Sequence, residues 1–290
     1  MALLRRKTNR RIVAVESDDH GGHKLGLCNP ATVLPNGEEG PYSPGLTHIQ
    51  HYLWELRQSH IDNVIALARG DPVTLLLTGD LTHGFRHQEH LMSTRRADQV
   101  FIGFWNALPW LKHRNVTAVR VLLGTGAHNL GEGTTEILIT QMLKERFPAL
   151  DIGSLYHGLF DIGGVTFDAA HHGPYPGSRA WLTGNSCRYY LRSLMIDELM
   201  NGRIPPRVVL RAHYHRWIHE TVRHDVAAGE AVSDFIMTPS YCGLGDYGHK
   251  ATRSIHSQTH GLVAFEVEDG ELVGIHPYKA TLDLRTKEAL

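Results

Sequence analysis

The sequence predicts an α/β fold in which central mixed β-sheets, packed as a sandwich, are flanked by helices. Three observations carry that expectation. In the first half, short β-branched apolar runs alternate with long helical patterns, the signature of parallel βαβ units. In the second half the pattern changes to short strand-like runs, broken by Gly163-Gly164 and by the hairpin signal Glu268-Asp269-Gly270. The chain has 290 residues, 42% hydrophobic and 20% charged, enough to bury a sizeable core.

Taken in order, residues 11–17 form the first β-branched run. A turn-rich loop follows over 21–45, with Asn29-Pro30, Pro35-Asn36-Gly37, Gly40-Pro41 and Pro44-Gly45. Loops of that length in a compact domain are usually functional lids or mobile linkers. Helical patterns cover 46–68, 90–113, 132–147 and 189–200. Residues 73–78 make a continuous apolar run of the kind buried on both faces of a sheet, and 116–123 and 207–210 read alike. Segments 151–170 and 261–276 supply the antiparallel strands, and a second Gly/Pro-rich piece occupies 172–177. With no internal repeat or clear linker, the expectation is one domain over 1–290, its core at 11–220 and C-terminal strands at 221–280.

Composition removes several function classes. Lys+Arg (29) and Asp+Glu (30) cancel to a net charge of -1, so no whole-protein field favours a polyanion. Any nucleic-acid contact has to be local. Arg95, Arg96, Arg179 and Arg188 are candidates for it, while the lack of an aromatic-interleaved basic stripe argues against broad duplex binding. No run approaches the roughly 18 apolar residues of a membrane helix, so no membrane partner is expected. Cys28, Cys187 and Cys242 are odd in number and form no C-x-x-C, which points to free thiols in a reducing compartment, the cytoplasm. The basic start (Arg5, Arg6, Lys7, Arg10, Arg11) has no apolar h-region behind it and reads as a short solvated terminus. Histidine is the outlier at 21 residues, and it is the commonest metal ligand.

The histidines and acids gather where strands end. The tips are Ser17-Asp18-Asp19-His20, Gly79-Asp80-Leu81-Thr82-His83-Gly84 and Gly124-Thr125-Gly126-Ala127-His128, then His171-His172-Gly173 and Ala212-His213-Tyr214-His215. Ligands of open α/β sheets bind at the carboxyl ends of strands, so these tips should converge. In extended backbone, i and i+2 share a face, which aims Asp18 with His20 and His213 with His215, and turns Asp19 outward to a structural role. Carboxylate and imidazole without thiolate suit Mn²⁺, Fe²⁺ or Zn²⁺. With Asp80 as a bridge between two such ions, the site would polarise a phosphoryl group and supply a metal-bound hydroxide for in-line attack.

Other histidines have plainer readings. His48, His51 and His60 share a helix with Leu53 and Trp54, where packing explains them. His83 and His87 face the site only if their segment is helical, and His23 and His249 are loop residues. No P-loop and no G-x-S-x-G elbow is present, and the order of His-x-His motifs fits neither a metallo-β-lactamase nor an amidohydrolase.

The ordered set Asp18-x-His20, Gly79-Asp80, Gly126-Ala127-His128, His171 and His213-x-His215 resembles the calcineurin-like metallophosphoesterases, over about residues 11–220. The resemblance implies that family's fold and two divalent metal ions. Asp18, His20, Asp80 and His215 would hold the first ion, and Asp80, His171 and His213 the second. It further implies that His128 contacts the phosphate and assists the leaving group, with His172 and Asn129 as substrate contacts. His171 is preferred to His172 as the ligand by analogy. One position departs: Ala127 stands where the family has Asn, which weakens the second site unless Asn129 or Thr125 substitutes. The variant motifs look like a phage and prophage subgroup, which would place the protein in a host cytoplasm. The expected activity is hydrolysis of phosphate esters, as a phosphodiesterase or nuclease on nucleic acid or nucleotides. The alternatives are a phosphomonoesterase acting on proteins or nucleotides and, from Ala127, a metal-bound scaffold without turnover. The sequence says nothing of oligomeric state.

Overall fold

Strand β1 (Arg10–Glu16) is buried on both faces, which is why its Ile-Val-Ala-Val run is continuous rather than alternating. In the computed structural model, which describes residues 9–36, 39–86, 88–128, 134–177, 179–227, 229–252 and 254–288, it lies near the middle of a six-stranded sheet. Parallel to it run β2 (Val73–Leu77), β3 (Val116–Leu122) and β4 (Asp151–Leu155). On its other side, antiparallel, come β10 (Ser257–Glu268) and β11 (Glu271–Asp283), joined at Asp269 and Gly270, both in the left-handed region as a tight hairpin needs. The C-terminal strands therefore complete the first sheet rather than append to it.

The second sheet has the order β5 (His157–Ile162), β6 (Val165–Ala170), β7 (Val208–Arg211), β9 (Gly229–Met237), β8 (Ile218–Val226). Strands β6, β7 and β9 are parallel, with antiparallel edges. The β8–β9 hairpin falls largely within the strands expected over 221–280, although no periodic run marks it individually. Its edge strand Ile-His-Glu-Thr-Val-Arg-His-Asp-Val is so polar that its apolar face shows only at Ile218 and Val222.

The two sheets face each other across Val13, Val15, Leu76 and Leu122 on one side and Phe167, Ala169, Val208, Leu210 and Ile236 on the other. Phe167 meets Phe265 edge to face at 5.4 Å. Helices α1 (His48–Ala68), α2 (Arg96–Leu111) and α3 (Thr134–Arg146) cover the outer face of the first sheet through Leu53, Ile61, Val64, Trp110 and Ile139. Helix α4 (Asn185–Met200) covers the second through Cys187, Leu191 and Met195, and a short α5 (Asp246–Ala251) follows β9. The mixed α/β sandwich flanked by helices is thus the architecture present.

Element ends differ from expectation in three helices. Helix α1 starts at His48 because Thr47 and Gln50 close a capping box ahead of it. Helix α2 begins only at Arg96, since residues 88–95 form a loop that passes through a left-handed His90. Helix α4 starts at Asn185, behind the left-handed Gly184. Of the basic start, residues 5–7 lie outside the described residues. Arg10 is no solvated tail residue: it joins β1 and binds Asp71 at 2.5 Å and Glu266 at 2.6 Å. All three cysteines are buried and unpaired. Among the described residues no helix is long and apolar enough to cross a membrane.

Candidate metal centre

The strand tips converge, by a different device from the expected alternation. Asp18 and His20 lie beyond the end of β1, and His213 and His215 beyond the end of β7, all four in the left-handed region with φ of 55°, 48°, 74° and 52°. Asp80 after β2 is a fifth, at 51°. Each such residue costs about 1–2 kcal/mol. Five of the nine positive-φ non-glycine residues among the described ones are these, so backbone strain concentrates at the site. The i, i+2 rule fails because it needs extended backbone, and here the chain turns after each strand.

Main-chain bonds lock the tips together. Asp18 N–H donates to Gly79 O (3.1 Å), His20 N–H to Asp80 O (3.0 Å) and Ala212 N–H to His171 O (2.9 Å). Glycine is required at two points of approach. A Cβ on Gly79 would stand 2.6 Å from His171 Nδ1, and one on Gly124 would stand 2.2 Å from Asp80 Oδ1.

Two donor sets result. In the first, His20 Nε2 lies 3.1 Å from His215 Nε2, and Asp18 Oδ1 lies 3.3 Å from His215 Nε2 and 3.8 Å from His20 Nε2. In the second, Asp80 Oδ2 lies 3.0 Å from His171 Nε2 and 4.0 Å from His213 Nδ1. Donors about 2.0–2.2 Å from a divalent ion stand roughly 3–3.5 Å from one another, so the spacing suits coordination. Asp18, Asp80, His171 and His20 are all nearly inaccessible, at 0%, 1%, 1% and 3% exposure.

The residues fit cations on four counts. The buried Asp18 Oδ1 has no hydrogen-bond partner. His171 Nδ1 donates to Thr78 O at 2.7 Å, which leaves Nε2 as the nitrogen that faces Asp80 and would give its lone pair to an ion on losing its proton. Burial would raise the Asp80 and Asp18 carboxyls, yet the neighbouring imidazoles, His171 and His215 first, hold both well below the usual range. Burial works against a charge on His171, but Asp80 outweighs it and raises that imidazole to about 9. The two donor sets attract positive charge and consist of oxygen and nitrogen atoms.

His128 sits in a 3-10 turn, Gly126–His128, after β3. Its Nδ1 donates to His83 O at 2.7 Å, leaving Nε2 to face Asp80 Oδ2 at 4.0 Å. Between His171 and His172 the structure separates the roles: His171 points into the donor set, while His172 is exposed, with its ring 5.1 Å from that of His213. Asn129 and His87 lie outside the described residues. Ala127 leaves its place to Thr125, whose Oγ1 lies 3.0 Å from Asp80 Oδ2, 3.1 Å from His213 Nδ1 and 3.2 Å from His171 Nε2.

Two histidines with plain sequence readings, His83 and His23, lie beside the donor sets. His83 is in a loop, not a helix, yet it is buried with Nδ1 3.4 Å from His20 Nδ1, and the His23 ring stacks on it at 4.2 Å. Neither has a periodic signal in the chain, since loops place them. Both line the 540 Å³ cavity that opens onto the donor sets, as do Arg86, Arg216, Tyr175 and the 243–248 glycine-rich run. Asp19 points inward instead of outward, into a buried network with Glu16 and Arg57. Of the four arginines offered for a local basic patch, Arg95 is held by Asp98 and Arg188 by Glu220.

Glu136, at the start of α3, is fully buried, with Oε1 lacking a hydrogen-bond partner. Burial, reinforced by Asp80, raises its carboxyl to about 7. A raised acid binds its proton more tightly folded than unfolded, so stability is full below about pH 4.5 and falls as pH rises towards 7. In chelator-treated protein, the urea midpoint of the wild type should drop between pH 5 and 8, and Glu136→Gln should flatten that slope. Parallel slopes for the two proteins would contradict the assignment.

Neither a family model nor a curated protein matches the sequence. Similar solved structures include the sulfate thiohydrolase SoxB of Thermus thermophilus in complex with glycerol, at 11% identity and a TM-score of 0.38. That similarity covers 94% of this chain and 56% of the other, so this chain spans little more than half of it. Another is the Thermotoga maritima protein TM1076, studied by solution NMR, at 14% identity and a TM-score of 0.30, over 94% of this chain and 99% of that one.

Proposed function

We propose that the protein is a metal-dependent phosphoesterase of the calcineurin-like type, acting on phosphodiesters. The observation that carries the reading is the pair of oxygen and nitrogen donor sets, joined where ligand atoms of Asp18, Asp80 and His171 come within 4.8 Å of one another, beneath one open cavity. Two divalent ions, with Mn²⁺ preferred and Fe²⁺ or Zn²⁺ as alternatives, would polarise the phosphoryl group and activate the attacking water.

The chain's own groups do the rest. Asp18, His20, Asp80 and His215 would hold the first ion, and Asp80, His171 and His213 the second, with the Thr125 hydroxyl in place of the missing asparagine donor. Thr78 O keeps the His171 ring in its ligating tautomer. His83 O does the same for His128, whose Nε2 is directed at the reacting group and there hydrogen-bonds a phosphoryl oxygen or protonates the leaving oxygen. His172, at the exposed edge, contacts substrate. A diester is favoured over a monoester by the cavity, whose 540 Å³ far exceeds one phosphate and holds Arg86 and Arg216 for flanking groups.

The test is metal counting beside hydrolysis of chromogenic mono- and diesters. Hydrolysis, with the diester faster, should vanish with chelator and return with Mn²⁺, with two ions bound per chain. Thr125→Val should bind the second ion at least about tenfold more weakly and Thr125→Ser should not. One tightly bound ion and no rate enhancement with any metal would favour the scaffold reading, and a faster monoester the phosphatase reading.

A further inference from the structure

Beside the cavity, residues 175–177 and 179–192 present aromatic rings and arginines to solvent. Tyr175, Trp181 and Tyr189 are 54%, 79% and 69% exposed, although large aromatics are usually among the buried residues. Arg179 and Arg192 are exposed on the same segment, and neither has an ion-pair partner among the described residues. The segment is fixed to the site's rim. Gly184 N–H donates to Pro176 O at 3.1 Å, Ser186 Oγ donates to Tyr175 O, and Arg216, which lines the cavity, donates to Gly177 O at 3.1 Å. A relay of rings connects it to the metal centre: His213 meets Tyr214 edge to face at 4.9 Å, and Tyr214 meets Tyr175 likewise at 5.5 Å.

Exposed rings interleaved with guanidinium groups make a platform for bases on a charged backbone, because every base has a face to stack and every linkage a charge to neutralise. The reacting end is concave, with Asp18, Asp80, His171 and His20 almost inaccessible and His213 and His215 part-exposed. A duplex carries its phosphates on the outside of a stiff cylinder about 20 Å wide and could not lower one into a cavity of that size, whereas a single strand can. Net charge of -1 fits a local track rather than a general affinity for polyanions. On these grounds we infer that the face formed by Tyr175, Trp181, Tyr189, Arg179 and Arg192 is a binding track for single-stranded nucleic acid, which it leads to the metal centre. The inference rests on the phosphodiesterase reading for the fate of the strand but not for its binding.

Fluorescence anisotropy in EDTA tests binding apart from catalysis. The probes are a 12-nucleotide single-stranded DNA, the same sequence as RNA, its duplex, and a phosphopeptide of equal charge. The single strands should bind at least about tenfold tighter than duplex or peptide. The substitution pair Trp181→Ala/Tyr189→Ala should weaken them by roughly tenfold or more, since loss of one stacked base already costs about that factor. Tyr156→Ala, an equally exposed aromatic away from the cavity lining, should leave binding unchanged. Arg179→Ala/Arg192→Ala should reduce the slope of log affinity against log salt by roughly 1.4. DNA and RNA arms tell which sugar is preferred. Equal affinity for duplex, preference for the phosphopeptide, or unchanged binding by the double aromatic variant overturns the track. Retained chromogenic diesterase activity with no strand binding would sink this inference alone. Strand binding lost in the aromatic variant, with no metal-dependent hydrolysis of any ester, would sink the phosphodiesterase reading alone.

Discussion

Asp80→Asn should lower kcat on a chromogenic phosphodiester by at least about 10³ at saturating Mn²⁺, because the several kcal/mol attributed to the ions depend on the carboxylate proposed to bridge them. Asparagine is the informative replacement. It keeps the oxygen that accepts the Thr125 N–H at 2.6 Å, and it tolerates the left-handed backbone at φ 51° better than alanine would. The fold should therefore survive while the bridging charge is lost. His213→Ala removes a second-ion donor, and since both act through one assembly the double variant should be little worse than Asp80→Asn alone. Steady-state rates with a circular dichroism control for folding check this. Wild-type turnover in the double variant would end the phosphoesterase reading.

The largest effect on stability is expected from Arg57, which is fully buried on α1. Its Nε donates to Glu16 Oε1 at 2.8 Å, and Trp110 Nε1 donates to the other carboxylate oxygen at 2.9 Å. Asp19 belongs to the same network. Burial, then the Glu16 charge, pushes its carboxyl well above the usual range while Arg57 pulls it down. Arg57→Met should cost about 3–5 kcal/mol in urea unfolding, because it leaves a carboxylate buried without its counter-charge. Adding Glu16→Gln removes that charge, keeps an acceptor for Trp110, and should recover part of the loss. A double variant no more stable than the single one would show that the pair's charges are not what holds this region. Since Glu16 and Asp19 bracket Asp18, the same network fixes the backbone from which the first donor set is built.

Much of the site could be read from the chain because its donors are few, chemically distinctive and placed at strand ends. Asp18, His20, Asp80, His128, His171, His213 and His215 all come together from five separate segments. Order along the chain reveals such a set because sheet topology brings carboxyl ends of parallel strands to one edge. The continuous apolar runs likewise identified β1 and β2, since burial on both faces leaves no room for alternation. Periodicity did not reveal the β8–β9 hairpin, whose edge strand is too polar to declare a face.

Other features depend on contacts between segments distant in sequence, and no local pattern encodes them. The left-handed turns at the donors arise because main-chain bonds between different tips hold them, as His20 N–H to Asp80 O does. His83 and His23 reach the site through loops, and Asp19 turns inward because Arg57 waits there. The Thr125 hydroxyl among Asp80, His171 and His213 is likewise a tertiary fact, although Ala127 marked the need for a substitute. The sequence by itself determined the layered α/β architecture and which acids and imidazoles stand at the strand ends, because strand burial and side-chain chemistry leave marks at single positions. Only the tertiary structure decided how those donors meet, which neighbours join them and which rings remain exposed beside them, because these are properties of distances across the fold.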